Sequence, residues 1–490
     1  MTILALDAGT TGVTALVVSD SGTVTARAHQ EFAQHYPRPG WVEHRPEEIW
    51  QATLSATRDA LAAAPAEPLA AVGVTNQRET AVLWDRTTLA APRPAIVWQD
   101  RRTAEICRGL RDAGHETLVS DRTGLRLDPY FTATKLTWLA DNDTAWAGVT
   151  AGQVAVGTVD SYLLARLSGG HLHATDPSNA SRTLLFDLDT GRWNEELCAL
   201  LRVPITALPE IRPSSGEFGR TDPSQFLGLD LPIAGVAGDQ QAALFGQACF
   251  DPGESKCTYG TGSFVLANTG PQVVRSDTGL LSTVAWDLGS GLVYALEGSI
   301  FVTGAAIQWL RDGLGIISSA AESESVARSV PDSGGVVFVP ALTGLGAPHW
   351  DPDARGLITG LTRGTTRAHL VRATLEAISY EVRDVIDVMT RDAGIDIPEL
   401  SVDGGAAANN LLCELQATVL QRPVRRPQVT ETTALGAAFL AGLATGVWSD
   451  PEELRATWKL DRKFEPGADD PDGYRRWLDA IRRTRGSEQG

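Results

Sequence analysis

An aspartate closes an apolar strand near the middle of the chain. Leu231-Pro-Ile-Ala-Gly-Val-Ala237 reads as a short buried strand, Gly238 opens a turn, and Asp239 stands directly before Gln240 to Phe245, which can begin a helix. A carboxylate held at a strand end by small neighbours faces the space beyond it, where a general base belongs. Alone, the stretch is equally compatible with Asp239 as a helix N-cap. A second set of candidates is Asp7-Ala-Gly-Thr-Thr-Gly-Val-Thr14, a Gly- and Thr-rich turn between two strands. Such a turn offers backbone N–H groups and small hydroxyls to a phosphate. Asp7 would then face the accompanying metal ion through water, as magnesium prefers. The bland alternative is a plain hairpin. There is no GK[ST] ending of a Walker A loop and no GxGxxG opening a helix.

Three more stretches sit at strand ends. Asn76-Gln-Arg78-Glu79-Thr80 places donors and an acceptor side by side, suited to the neighbouring hydroxyls of a polyol if both face one pocket and otherwise a loop ion pair. Ser255 to Ala267 repeats the strand, Gly/Thr turn and strand of the opening, with Thr261 and Gly262 as a second phosphate clamp. Gly404-Gly-Ala-Ala-Ala-Asn-Asn410 lets a flat ring and ribose approach the backbone, with Asn409 reading an edge, unless it is an ordinary strand–helix connection. His171 and His173, beside Gly169-Gly170, read as hairpin surface and not as a metal site.

The elements that must position these residues are strands alternating with helices. Thr2–Leu6, Ala15–Val18 and Thr23–His29 form a meander, and Pro46-Glu-Glu starts a helix at its favoured acidic end. Leu83–Asp85 and Ala95–Trp98 are expected to pair with each other. Asp160 is expected to cap a helix, and Arg192 to begin another. Val371, Leu375, Ile378, Val382, Val385 and Met389 mark a long core helix, and Gly436 and Gly442 a closely packed one. The tail beyond Glu465 reads as polar and peripheral. The whole is two βββαβα-type units in tandem, hinged near residues 245 to 255, with a cleft suited to moving a nucleotide phosphate onto a small molecule.

The 490 residues have room for two domains, and the net charge of −18 argues against nucleic acid or an anionic membrane as partner. Five scattered cysteines form no CxxC, as in a reduced cytoplasmic protein. The N-terminus reads as a strand and not a signal peptide, and no apolar run spans a bilayer.

With these residues in view, the chain resembles the FGGY carbohydrate kinases from Leu4 to about Trp448. Tyr130 to Asn142 looks like the family's first signature and Gly356 to Glu376 like its second. Thr75–Thr80, Ile96–Arg102, Gly238–Gly246 and Thr258–Gly262 are most similar to the members that act on glycerol. The resemblance implies an α/β, two-domain, actin-like ATPase fold of duplicated ribonuclease-H type, with an interdomain active-site cleft. Residues 1–247 would form the acceptor-binding domain with the base, and 248–490 the nucleotide-binding domain. By motif position, Arg78, Glu79, Tyr130, Asp239 and Gln240 would hold the hydroxyls of glycerol, and Trp98 and Phe264 would pack on its carbons. Asp239 would be the base. Thr10, Thr11, Gly12, Thr261, Gly304, Gln308, Gly405 and Asn409 would line ATP, with Mg2+ at Asp7. A homodimer or homotetramer would be expected. Other short polyols or ketoses are the rival acceptors, and a non-catalytic polyol sensor is the rival class.

The chain departs from the family at Thr14, where members acting on glycerol carry an arginine that helps hold the nucleotide phosphates. Phe226–Leu231 lacks the Gly-Gly-Thr-Arg loop that binds fructose 1,6-bisphosphate in some members, and no histidine lies between His173 and His349 to be phosphorylated as in others. Neither form of control is expected.

Overall fold

The computed structural model describes residues 1–485. In the first half, β1 (Thr2–Ala8), β2 (Gly12–Ser19) and β3 (Val24–Glu31) form the antiparallel meander, and α1 (Pro46–Ala63) leads to β4 (Leu69–Asn76), parallel to β1. A long stretch carrying α2 (Thr132–Asn142) and α3 (Pro177–Ala180) precedes β5 (Ser215–Arg220) and β6 (Pro232–Gly238). Then α4 (Asp239–Gly246) follows β6 with no intervening residue. The strand order is β5-β6-β4-β1-β2-β3.

The second half repeats the plan. An antiparallel set, β7 (Ser255–Tyr259), β8 (Ser263–Gly270), β9 (Leu281–Asp287) and β10 (Leu292–Ile300), comes first. It continues through α5 (Gly304–Gln308), α6 (Arg367–Ala393), β11 (Leu400–Asp403), α7 (Asn410–Leu420), β12 (Val424–Pro427), α8 (Thr432–Ala444), β13 (Leu460–Phe464) and α9 (Pro471–Thr484), with order β9-β10-β8-β7-β11-β12-β13. In each sheet the first strand of the opening hairpin runs parallel to the next strand across, β1 to β4 and β7 to β11. The four loops after these strands therefore open at strand ends, where ligands of such sheets sit.

The two halves are held together by α8, which packs against the first sheet and α4. Its backbone comes so close that a Cβ on Gly73 would lie 2.2 Å from the Ala437 carbonyl oxygen, and one on Gly436 1.8 Å from that of Ala242. Only glycine permits this approach. All six predicted core positions of α6 are at most 1% exposed, each worth ~1.5–3 kcal/mol of burial.

Five local expectations are corrected. Val82–Asp85 pairs with Val154–Gly157, and Ala95–Ile96 with Glu43–His44; only a bridge between Ala81 and Ile96 links the two segments. Buried apolar strands carry no mark of which partner they take, and more distant ones won here. Arg192–Trp193 is a short strand, and the helix begins at Glu195 behind an Asn194 cap. Thr158, not Asp160, occupies the N-cap of its helix, and Asp160 instead accepts from the Thr158 and Thr175 hydroxyls. The tail folds back as α9, burying Trp477 completely, with Trp477 Nε1 and the Tyr474 hydroxyl donating to Asp384. Its many arginines masked that apolar face. His173 is half-buried and not plain hairpin surface: its Nε2 meets the Val156 carbonyl at 2.9 Å and its ring packs edge-on against Trp84.

Candidate active site

Asp239 is the first residue of α4, and its carboxylate caps nothing beyond the adjacent Gln240 amide, at 2.7 Å. The helix-cap alternative is thereby reduced to a bond with its own neighbour. Arg78 Nε lies 3.1 Å from Asp239 Oδ1, and 26% of the aspartate side chain stays open. A Cβ on Gly238 would fall 2.7 Å from the Arg78 Cδ, so glycine makes room for the arginine to cross there. Glu79 follows with φ of 61°, a conformation that costs a non-glycine residue energy.

Arg78 and Glu79 belong to a fully buried network of charges. Glu297, on β10 of the second half, receives Arg78 Nη1 at 2.5 Å, Arg78 Nη2 at 3.1 Å and Arg182 Nη2 at 2.9 Å. Arg182 Nε donates to Glu79 at 2.7 Å, and Arg78 Nη1 to Gln241 at 3.1 Å. Burial raises the Glu297 carboxyl, but the two arginines overcome it and hold the group at about 2. For Glu79 burial wins over both arginines and its pKa rises. Asp239 is also raised by burial, against the opposing pull of Arg78 and Lys256. A carboxylate whose proton affinity is raised is a better base for an alcohol proton.

Trp98, Tyr130 and Phe264 stand in contact, with ring centroids 5.6 Å (Trp98 to Tyr130) and 6.3 Å (Trp98 to Phe264) apart. They wall a cavity of about 500 Å³ shared between the halves, with Thr261, Phe301 and Trp350 among its other lining residues. Lys135 donates to the Tyr130 and Phe131 carbonyls from inside α2 and so fixes Tyr130. Trp98 Nε1 donates to Thr10 Oγ1 at 3.0 Å, tying the ring wall to the first hairpin.

That hairpin has its carbonyls engaged and its tip amides free. The carbonyls of Ala8, Gly9, Thr10 and Thr11 all accept hydrogen bonds, from the Gln77 backbone, the Gln77 side chain, the Gln34 side chain and the Phe32 backbone. The amides of Gly9, Thr10 and Thr11 have no acceptor among the described residues. Such convergent free N–H groups attract phosphate. Beside them, Asp7 Oδ1 is buried without a hydrogen-bond partner. Burial, and then the nearby Asp239 charge, push the Asp7 carboxyl up to about 7. A buried, orphaned carboxylate facing a second carboxylate fits a bound divalent cation.

The second hairpin is tied to α5: Gly304 N donates to the Gly260 carbonyl at 3.0 Å, and Thr303 N and Ala305 N to that of Thr261. Thr261 and Gln308 are exposed, and Gly405 is open, with nothing within 4 Å of a Cβ placed there. Asn409 caps α7 through Leu412 N and donates to Ser323. Gln240 accepts from Lys256 Nζ at 2.5 Å. The structure thus joins Arg78, Glu79, Trp98, Tyr130, Asp239, Phe264 and Thr10 by direct contacts, with Asp7 beside Asp239. Gly304, Gln308, Gly405 and Asn409 follow strands of the second sheet, and Thr261 shares the cavity wall with Trp98, Tyr130 and Phe264. Arg182, Glu297, Gln241 and Lys256 were not anticipated. Lys256 carried a usable signal, being one of only four lysines and lying in a buried strand.

The chain matches the N-terminal domain of the FGGY family of carbohydrate kinases over residues 2–246 and its C-terminal domain over 255–445. It is 52% identical to glycerol kinase 2 of Thermotoga maritima, over 99% of both chains. It is 56% identical to a glycerol kinase of Dechloromonas aromatica, over 95% of this chain and 93% of that one. Among solved structures, Plasmodium falciparum glycerol kinase with ADP superposes with a TM-score of 0.91 at 33% identity, covering 99% of this chain and 98% of the other. A xylulose kinase of Lactobacillus acidophilus shares the fold at TM-score 0.88 and 22% identity, covering 99% of each chain.

Proposed function

The chain belongs to the FGGY family of carbohydrate kinases, and from that premise we propose that it transfers the terminal phosphoryl group of ATP to a primary hydroxyl of glycerol. The observation that carries the chemistry is Asp239, a partly open carboxylate of raised proton affinity, held by Arg78, whose guanidinium also reaches the Tyr130 hydroxyl and the Phe264 ring of the aromatic wall. A primary alcohol is a poor nucleophile at neutral pH. Asp239 accepts the hydroxyl proton as the new oxygen–phosphorus bond forms and the bond to the ADP oxygen breaks. Arg78 and Glu79 hold the neighbouring hydroxyls, with Tyr130 and Gln240 beside them, while Trp98 and Phe264 cover the carbons. Lys256 engages only the Gln240 Oε1, which leaves the side-chain N–H groups for glycerol.

The amides of Gly9 to Thr11, with the hydroxyls of Thr10 and Thr11, receive the phosphates from one side, and Thr261 from the other. Magnesium, when bound, takes up charge on the transferring group. Asp7 would hold it, through water. The first half supplies the base and most of the acceptor site, with Phe264 of the second half closing its wall, and the second half supplies Gly304, Gln308, Gly405 and Asn409 to the nucleotide. Five unpaired, buried thiols favour a reducing cytoplasm as its place of work.

The cavity's 500 Å³ is larger than glycerol needs. A coupled assay with magnesium-ATP and a panel of glycerol, dihydroxyacetone, erythritol and ketoses therefore tests the reading. A strong preference for glycerol is expected, and a preference for another acceptor would move the substrate while keeping the mechanism.

A further inference from the structure

The first hairpin offers amides to a triphosphate but no free strong cation. Strand alternation puts Asp7, Gly12, Thr14 and His29 on one face of the first sheet, the face whose Ile3, Ala5 and Leu16 pack toward α8. The charged groups around it are mostly committed. Arg78 is held by Glu297, Gln241 and Asp239, and Lys256 Nζ by Gln240 and Thr258. Arg27, next along β3 on the same face, pairs with Glu431 at 2.9 Å. Glu31, opposite Gly12, and the carboxylates of Asp7 and Asp239 only add negative charge.

His29 is the exception. It sits opposite Thr14, and its Nδ1 lies 2.9 Å from Thr14 Oγ1. Its ring leans along β2 toward the hairpin tip: a Cβ on Gly12 would fall 2.7 Å from both Cε1 and Nε2. The absence of a side chain at Gly12 is what lets the ring lie there. Nδ1 is occupied by Thr14, and Nε2 has no partner among the described residues. A neutral ring that accepts from Thr14 carries its proton on Nε2, and a protonated ring carries one there as well; only the neutral tautomer that donates to Thr14 leaves Nε2 bare. In the first two states an N–H donor lies beside Gly12, next along the chain from the free amides of Gly9, Thr10 and Thr11.

We propose that His29 is a ligand of the nucleotide's phosphates, through its Nε2–H. Thr14 then acts as a positioning residue that sets the ring's rotation, and Gly12 as the gap that admits it. This rests on the kinase reading for the identity of the ligand, but its test does not depend on turnover.

The experiment is titration of MgADP, and separately of adenosine, into the full chain, into His29→Ala and into the double variant His29→Ala with Thr14→Arg. One charge-assisted hydrogen bond to a phosphate predicts that His29→Ala weakens MgADP by about tenfold. Adenosine affinity stays unchanged, and the double variant regains MgADP. An unchanged MgADP affinity in His29→Ala overturns the proposal. An equal loss for adenosine also overturns it, since the ring would then only shape the hairpin. A parent protein that phosphorylates no acceptor, yet loses MgADP affinity with His29, removes the kinase reading and keeps this one. A parent that binds no nucleotide removes both.

Discussion

Glu297→Gln is the substitution with the most informative consequence. Glu297 is fully buried and takes three hydrogen bonds from two arginines, with a fourth from the Ser299 hydroxyl at 3.0 Å. Its carboxyl lies at about 2, against an ordinary 4.5. That separation of about 2.5 pH units, at about 1.4 kcal/mol per unit, corresponds to ~3 kcal/mol of stability. The figure agrees with the ~3–5 kcal/mol usually lost when one partner of a buried ion pair is removed. A depressed carboxylate contributes its stability above its ordinary value, and loses it as pH falls from there through about 2. The loss on substitution is therefore full and constant across neutral pH, and shrinks as pH falls below about 4.5. Unfolding entropy near ~2.1 cal/mol/K per residue turns ~3 kcal/mol into a fall of about 3 °C in the thermal midpoint for a chain of this length unfolding as one unit. Arg78 also loses its anchor across the halves, so KM for glycerol rises, by about tenfold. Differential scanning at neutral and mildly acidic pH, with acceptor kinetics alongside, reads all of this. A midpoint within about 1 °C of the parent, with KM unchanged, would refute the claim that Glu297 holds the acceptor arginine in place.

Two further perturbations have definite signs. Asp7, pushed up to about 7, is protonated in acid and ionised in mild base. MgADP affinity should weaken as pH drops through about 7, and Asp7→Asn should abolish that dependence in a calorimetric pH series. Because the folded state disfavours the ionised form, stability without ligand should fall as pH rises from 3.8 toward about 7, and Asp7→Asn should raise the midpoint at neutral pH. Trp98→Ala opens the acceptor wall and frees the Thr10 hydroxyl together; both a higher KM for glycerol and a lower kcat are expected from steady-state kinetics, whereas a change in KM alone would mean that the Trp98–Thr10 bond plays no part in phosphoryl transfer.

Much of the site was readable because its markers are local. The two hairpins announce themselves by Gly and Thr between apolar strands, and Asp239 by the small residues before it. The charge network was not readable for the same reason. Arg78 and Glu297 stand 219 residues apart, and nothing near either names the other. Glu297 was visible only as a lone carboxylate inside the apolar strand Leu292–Ile300, and Arg182 as one arginine among many. The pairing of Val82–Asp85 with Val154–Gly157 was hidden likewise, since apolar alternation records burial and not partner. The close packing of α8 was legible in Gly436, but that its counterparts are Ala242 and the first sheet required the structure.

The central claim is that Asp239 is the base for phosphoryl transfer to glycerol. Asp239→Asn keeps the size of the side chain and its place at the start of α4 while removing the proton acceptor. Turnover and glycerol binding should be measured on the same preparation. The account predicts glycerol binding nearly intact and turnover lowered by a factor on the order of a hundred or more. Near-normal turnover in this variant would contradict it.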